Sequence, residues 1–129
     1  MPPKKTVLDV GNCVPDHTSI STMLTKNFSV NVLQADRLED TLSTLKKNEV
    51  DLILVNRKLD IDYTDGLLII EELKRNPNYQ SIPSMLVTNF PEHQEQAVAA
   101  GAEKGFGKLE LSSKATLDHL AQYLPPLKE

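Results

Sequence analysis

Short apolar runs alternate along this chain with longer stretches whose apolar residues recur at helical spacing. The run Leu52–Val55 holds four apolar residues between polar neighbours and ends at Asn56. An uninterrupted run of this length is typical of a strand buried on both faces of a parallel sheet. Four more strands are predicted, the last of them weakened by two glycines: Thr6–Val10, Ser29–Leu33, a segment within Ile82–Thr88, and Glu103–Gly107.

Five helices are predicted between and after these strands, because apolar residues there repeat at intervals of three and four. Polar capping residues indicate where the helices begin, and a glycine or proline indicates where they end. The first helix is expected from His17 to about Lys26 with Asp16 as its cap, and the second follows Asp36 as its cap, with Leu38, Leu42 and Leu45 facing inward. The third is Gly66–Arg75, with Leu67, Ile70 and Leu73 facing inward, and the fourth is Pro91–Ala100, ending at Gly101. The fifth is capped by Ser112 or Ser113, with Leu117, Leu120, Ala121 and Leu124 facing inward.

This fivefold alternation predicts an α/β fold with three layers, a (βα)5 flavodoxin-like arrangement around a central five-stranded parallel sheet. The strand order natural at this length is 2-1-3-4-5. Such sheets bind ligands at the carboxyl ends of their strands. The residues expected there are Gly11 and Asn12 after the first strand, Asn56 after the third, Thr88 after the fourth and Lys108 after the fifth.

Composition restricts the class of protein. The 129 residues suit one domain, and 40% hydrophobic with 25% charged residues is ordinary for a globular protein. A net charge of −4 argues against a nucleic-acid surface, and no apolar run is long enough to span a membrane. The single cysteine, Cys13, suits a reducing cytoplasm. We expect a domain over residues 5–124, with residues 125–129 as a tail or the start of a linker.

Several segments together resemble the receiver domain of two-component response regulators of the chemotaxis type. They are VLDVGN at the first strand, DLILVN at the third, DG at Asp65-Gly66, IPSMLVT at Ile82–Thr88, and AAGAEKGFGK from Ala99 to Lys108. No single segment is specific, but their order and spacing cover nearly the whole chain. The resemblance implies a signalling role with a histidine kinase or a downstream effector as partner, and contact through residues 92–124, where homodimers also form.

The resemblance also implies a set of site positions, and several of them have changed. The family's Mg²⁺-binding acid pair falls on Gly11 and Asn12, and its phosphoacceptor aspartate falls on Asn56. The two groups that contact the phosphoryl oxygens fall on Thr88 and Lys108. The aromatic residue that switches on phosphorylation falls on Gly105, with Phe106 one place later, and the proline that often follows the lysine is Leu109.

These changes remove the chemistry of phosphoryl transfer. An amide oxygen is a poor nucleophile, and Mg²⁺ favours sites with one or two carboxylates. Each lost charge forfeits up to about 4 kcal/mol of attraction near a surface. We therefore expect no metal, no cofactor, no phosphorylation at Asn56 and no enzymatic activity, so that the chain is a pseudo-receiver.

Four other acids could alter this prediction. Asp9 lies within the first strand, and we expect it to be hydrogen-bonded and structural. Asp16, Asp60 and Asp62 lie near the strand ends, the last two in a loop about two residues longer than usual in the family. One alternative is therefore a working phosphoacceptor with a displaced acid such as Asp60. The other, a flavodoxin-like enzyme that binds a nucleotide, has no nucleophile-base pair or phosphate loop to support it.

Lys108 needs a partner once the family's carboxylates are gone. The candidates are the Asn56 side-chain oxygen, a backbone carbonyl or a small anion held between Thr88 and Lys108. The three histidines are isolated in the sequence without metal-ligand spacing, which favours surface or capping roles: His17, His93 and His119.

Overall fold

The computed structural model describes residues 4–127. Its strands are β1 (Lys5–Val10), β2 (Val30–Ala35), β3 (Leu52–Asn56), β4 (Ser84–Val87) and β5 (Glu103–Phe106). Its helices are α1 (Val14–Asn27), α2 (Leu38–Lys47), α3 (Gly66–Arg75), α4 (Pro91–Ala99) and α5 (Lys114–Leu120), with a short 3-10 turn at Lys108–Glu110 before α5.

The five strands form one sheet in the order β2-β1-β3-β4-β5. All the strand pairs are parallel, with Leu8 opposite Ile53 and Val55 opposite Leu86 in the centre. This confirms the predicted fold class and strand order. The pairing of β4 with β5 is irregular, since Met85 pairs with Glu103 but Val87 pairs with Phe106. One extra residue of β5 is therefore accommodated as a bulge.

Helices cover both faces of the sheet, so the fold has the three predicted layers. On one face the helices α2, α3 and α4 contribute residues such as Leu45, Ile70 and Ala97 to a buried cluster. On the other face α1 and α5 contribute Leu24 and Leu120 to a second cluster. The central strands supply side chains to both clusters, which explains why their sequences are apolar without alternation.

Three local predictions were wrong. Asp16 does not cap α1, because the helix begins at Val14 after Cys13 and places Asp16 in its first turn. Asp36 does not cap α2; instead Asp40 accepts hydrogen bonds from the backbone N–H groups of Asp36 and Arg37, both at 2.8 Å.

The third wrong prediction concerns α5. Ala121 is exposed, because α5 ends at Leu120. Ser113 does cap α5, as predicted, by accepting a hydrogen bond from Thr116 N.

The chain beyond α5 returns to the end of α1. Pro125 O accepts a hydrogen bond from Ser29 N at 2.9 Å, and Leu127 N donates to Asn27 O at 3.1 Å. The expected tail over residues 125–129 is thus attached to the fold as far as Leu127, and residues 128–129 lie outside the described part. Among the helices of residues 4–127, none combines the length and apolar character needed to cross a bilayer.

Candidate functional site

The sheet order places the carboxyl ends of β1, β3, β4 and β5 side by side. Gly11 and Asn12 follow β1, Asn56 ends β3, Thr88 follows β4 and Lys108 follows β5. The residues expected to share one site are therefore brought to one edge of the sheet.

Asn12 faces into the protein rather than into an open site. The residue is buried, and its side-chain nitrogen donates a hydrogen bond to Asp9 Oδ1. Its side-chain oxygen is buried without a hydrogen-bond partner in residues 4–127. One neutral oxygen is a poor substitute for a pair of carboxylates, because Mg²⁺ sites in proteins normally include at least one charged ligand.

Asp9 is the buried carboxylate of this region, and it is engaged. Its Oδ2 lies 2.7 Å from Nδ1 of His17 in α1, while Oδ1 accepts the bond from Asn12. Burial raises the pKa of the Asp9 carboxyl above its ordinary value, an effect that the hydrogen bonds from His17 and Asn12 oppose. The prediction that Asp9 is hydrogen-bonded is confirmed. The surface or capping role expected for His17 is wrong, since this ring is half-buried against the carboxylate.

The Asn56 side chain connects the loop after β3 to the turn after β1. Its side-chain nitrogen donates to Lys58 O at 2.6 Å and, at a longer 3.4 Å, to Gly11 O. An amide used as a donor to two carbonyls fixes the start of the loop after β3 against the turn after β1. A carboxylate in the same position could not make these bonds, because it has no hydrogen to donate.

Leu59 fills the space above Gly11. The side chain of Leu59 is only 1% exposed, and a Cβ added to Gly11 would lie 2.3 Å from Leu59 Cδ2. Gly11 also has a φ of +82°, a conformation that favours glycine. An acid at this position would therefore meet both backbone strain and an apolar side chain. The length of the loop is visible in the sequence, but no pattern there predicts this contact for Leu59, the single apolar residue between Asn56 and Ile61.

The loop that carries Leu59 is held by backbone hydrogen bonds. Asp60 N donates to Gly11 O at 2.8 Å, which joins the loop to the turn after β1. Leu59 N donates to Thr64 O at 2.9 Å, and Tyr63 N donates to Leu59 O at 2.8 Å. Tyr63 takes a left-handed φ of 60°, which costs a residue with a side chain roughly 1–2 kcal/mol. These hydrogen bonds hold the loop in a compact conformation that places the Leu59 side chain against Gly11.

Lys108 pairs with Asp16, which is none of its three expected partners. Lys108 Nζ lies 2.6 Å from Asp16 Oδ2, although the two residues are far apart in the sequence. The Lys108 ammonium holds the pKa of the Asp16 carboxyl below its usual value. This pair neutralises the ammonium on which an anion site between Thr88 and Lys108 would depend. Asp9 is also near Lys108. The Lys108 ammonium is therefore not an isolated positive charge, although Gly11, Asn12 and Asn56 beside it are uncharged.

Thr88 is buried and directed toward the start of α4. Its Oγ1 accepts a hydrogen bond from Phe90 N at 3.3 Å and lies 3.4 Å from Nδ1 of His93. His93, expected to be isolated, is therefore a neighbour of Thr88. Thr88 and Lys108 have the residue types that the resemblance implies at these positions, but their polar atoms contact α4 and α1 respectively.

Gly105 lies in the bulge of β5, where a side chain has no room. A Cβ added there would be 2.1 Å from Leu86 O. The neighbouring space is occupied by Gln94 of α4, whose Oε1 accepts a hydrogen bond from Gly105 N at 2.8 Å and whose Nε2 donates to Leu86 O at 2.9 Å. Gln94 thus joins α4 to β4 and to the edge strand β5. The sequence does not predict this role for Gln94, because a lone glutamine belongs to no motif.

The acids of the long loop do not assemble a replacement site. Asp60 and Asp62 are both exposed, and Asp62 is used locally to accept a hydrogen bond from Thr64 N at 3.0 Å. Over residues 4–127, no three His, Cys, Asp or Glu side chains are grouped so as to hold a metal ion. The donor set at this edge, with its single engaged buried carboxylate and its apolar cover, does not fit Mg²⁺.

The fold is that of the response regulator receiver domains. No protein-family model matches the sequence, and no curated protein matches it significantly. Among solved structures, the chemotaxis protein CheY4 of Vibrio cholerae is similar over 95% of this chain and 100% of its own, with 19% identity and a TM-score of 0.74. A response regulator from Thermotoga maritima is similar over 94% of this chain and 98% of its own, with 17% identity and a TM-score of 0.75.

A third similar structure is the signal receiver domain of a DNA binding response regulator from Colwellia psychrerythraea. It is similar over 92% of this chain and 97% of its own, with 18% identity and a TM-score of 0.71. At identities this low the comparisons establish the fold, and function has to be argued from the site.

Proposed function

We propose that this chain is an atypical receiver domain of two-component signalling, which acts without phosphorylation as a protein–protein interaction module. The observation that carries the proposal is the burial of Leu59 against Gly11. This contact closes the position where a phosphoacceptor site would need carboxylates and a metal ion. Asn56 supports the same conclusion, because its amide is committed to two carbonyl groups and offers no nucleophilic oxygen anion.

The proposed contact surface is the face formed by α4, β5 and α5, approximately residues 92–124. A groove of about 750 Å³ lies there, with Val98 and Lys104 among its lining residues. Gln94 fixes the relation of α4 to β4 and β5 at this groove. A surface held in one conformation suits a module recognised in a single state. The partner would be a histidine kinase or a downstream effector, and a homodimer would use the same face.

The proposal assigns the chain no catalytic activity, no cofactor, and no contact of its own with nucleic acid or membrane. The net charge of −4 supports the absence of a nucleic-acid surface. A cytoplasmic setting, which a single cysteine suits, belongs to the same proposal.

Incubation with a small phosphodonor and Mg²⁺, followed by intact mass spectrometry, tests the central claim. We expect no stoichiometric adduct on the natural chain. We also expect none on Asn56→Asp, since Gly11 and Asn12 would still supply no carboxylate to hold the metal. A receiver domain known to accept phosphate from the same donor serves as the positive control.

A base-labile adduct would contradict the proposal, and its position would show which alternative holds. An adduct on Asp60 would support a displaced phosphoacceptor, whereas efficient modification of Asn56→Asp would show that a metal site survives. Flavin or nucleotide retained on purification would support the enzyme alternative. Addition of Mg²⁺ and beryllofluoride should leave the amide NMR signal of Gly105 unchanged, because position 56 holds an asparagine in place of the aspartate that would receive the phosphoryl mimic.

A further inference from the structure

Exposed apolar side chains surround the carboxyl edge of the sheet. In residues 4–127, five of the eight large apolar side chains that are exposed lie there, ranging from 46% exposed for Ile61 to 86% for Leu109. They come from four different segments, one after each of β1, β3, β4 and β5. We call this set the apolar rim: Val14, Ile61, Tyr63, Phe90 and Leu109.

The four segments of the apolar rim are connected to one another. Asp60 N donates to Gly11 O at 2.8 Å, which joins the loop after β3 to the turn after β1. Lys108 pairs with Asp16 at 2.6 Å, which joins the loop after β5 to α1. Leu109 N donates to Asn89 Oδ1 at 3.1 Å, which places Leu109 beside the segment that carries Phe90. The rim is therefore a preorganised surface, and little ordering would be required when a partner binds.

The dimensions of the rim suit a short helix. The strands β1, β3, β4 and β5 are consecutive in the sheet, and neighbouring strands lie about 4.8 Å apart. The rim thus extends over roughly 14 Å. A helix of about ten residues has the same length, and its apolar face could contact all four segments.

The charge of this edge indicates the chemistry of the partner. Three cations lie on the same segments: Arg57, Lys58 and Lys108. They stand against six carboxylates, so the edge has a net charge of −3 within a chain of net charge −4: Asp16, Asp60, Asp62, Asp65, Glu92 and Glu110. Two copies facing each other through this edge would repel, as would an anionic lipid surface. A segment with Lys or Arg beside its apolar residues is complementary.

We infer that the carboxyl edge of the sheet is a second docking surface, which binds a basic amphipathic helix of a protein partner through the apolar rim. The edge where the resemblance to receiver domains implies phosphoryl chemistry would here serve recognition alone. This inference does not require the α4–β5–α5 face to bind anything, because none of the five rim residues lines the groove at Val98. The groove does reach the edge of the rim, at Asn89, Pro91 and Glu110.

The test uses a labelled helical peptide of leucine and lysine and the full chain, at physiological ionic strength. We expect the peptide to bind. The amide NMR signals of the protein that shift on binding should be those of residues 57–65, 88–92 and 108–110. The double variant Tyr63→Ser, Leu109→Ser should weaken binding about tenfold or more, as central apolar anchors do. Leu68→Ser on α3 and Val98→Ser in the groove are matched controls and should change the affinity less than about twofold.

Each other outcome would overturn the inference. A double variant that binds as well as the natural chain, or equal binding of a leucine and glutamate peptide, would exclude a basic partner on the rim. Shifts confined to α4, β5 and α5 would place the peptide on the other face. A dimer that Leu109→Ser dissociates in sedimentation would identify a second copy as the occupant, and rim-dependent binding to anionic vesicles would identify lipid. Because both mutated residues are exposed, melting curves should confirm that the variants remain folded.

Discussion

The two halves of the carboxyl edge differ in separate ways from the phosphoacceptor site that the resemblance to receiver domains implies. On the β1 and β3 side, the residue types themselves are changed, and Leu59 covers Gly11. On the β4 and β5 side, Thr88 and Lys108 remain the types that would contact a phosphoryl group, but they are bonded to α4 and α1. The comparison teaches that a retained residue type is weak support for a retained role. The contacts of a side chain decide its role, and in both halves these positions already contact other parts of the protein.

Removal of the apolar cover should have the largest effect. Leu59→Ala deletes a buried side chain that contacts Gly11, so the free energy of unfolding should fall by about 2–5 kcal/mol. Urea unfolding followed by circular dichroism measures this loss. Leu68→Ala, at a position 52% exposed on α3, is the control and should change stability by less than about 0.5 kcal/mol. Equal effects of the two substitutions would show that Leu59 does not hold this half of the edge.

Gln94 is the corresponding test of the other half. Gln94→Leu leaves Gly105 N and Leu86 O without their side-chain partner, which should cost about 1–3 kcal/mol. Hydrogen exchange at the Gly105 amide should also become faster. Gln96→Leu changes an exposed residue of the same helix and should have little effect on either measurement. Unchanged exchange at Gly105 in the Gln94 variant would refute the claim that this side chain fixes α4 to β4 and β5.

The pair between Lys108 and Asp16 should have the smallest effect and a defined pH dependence. Both side chains are partly exposed, so Lys108→Met should reduce stability by no more than about 1 kcal/mol at neutral pH. The pKa of the Asp16 carboxyl is lower in the folded state than in the unfolded state. The stabilisation that the pair gives the fold is therefore present above the unfolded-state pKa of Asp16, and it is lost as the pH falls through the folded-state pKa. The difference between the natural chain and the variant should therefore shrink on acidification.

Denaturant unfolding at several pH values measures this difference. Lys114→Met is the matched control, because Lys114 and Asp118 form an equally short pair at a far more exposed position, and no measurable change is expected there. A difference for Lys108→Met that grows as the pH falls would contradict the assignment of Asp16 as its partner.

Local pattern was sufficient to predict the architecture. The apolar run Leu52–Val55 predicted a central strand, and the spacing of Leu67, Ile70 and Leu73 predicted α3 with its observed bounds. These signals are readable because burial on both faces makes a central strand continuously apolar, whereas burial on one face imposes a period of 3.6 residues on a helix. The caps of α1 and α2 were predicted less well, since several adjacent polar residues could serve and backbone geometry selects among them.

The sequence by itself determined that the strand ends bear uncharged residues at Gly11, Asn12 and Asn56. Only the tertiary structure decided which side chains lie beside these ends: Leu59 above Gly11, and Asp16 beside Lys108. The physical reason is that these contacts depend on the paths of loops and on elements distant along the chain. Periodicity records which face of an element is buried, but it carries no information about which side chain from another element will meet it.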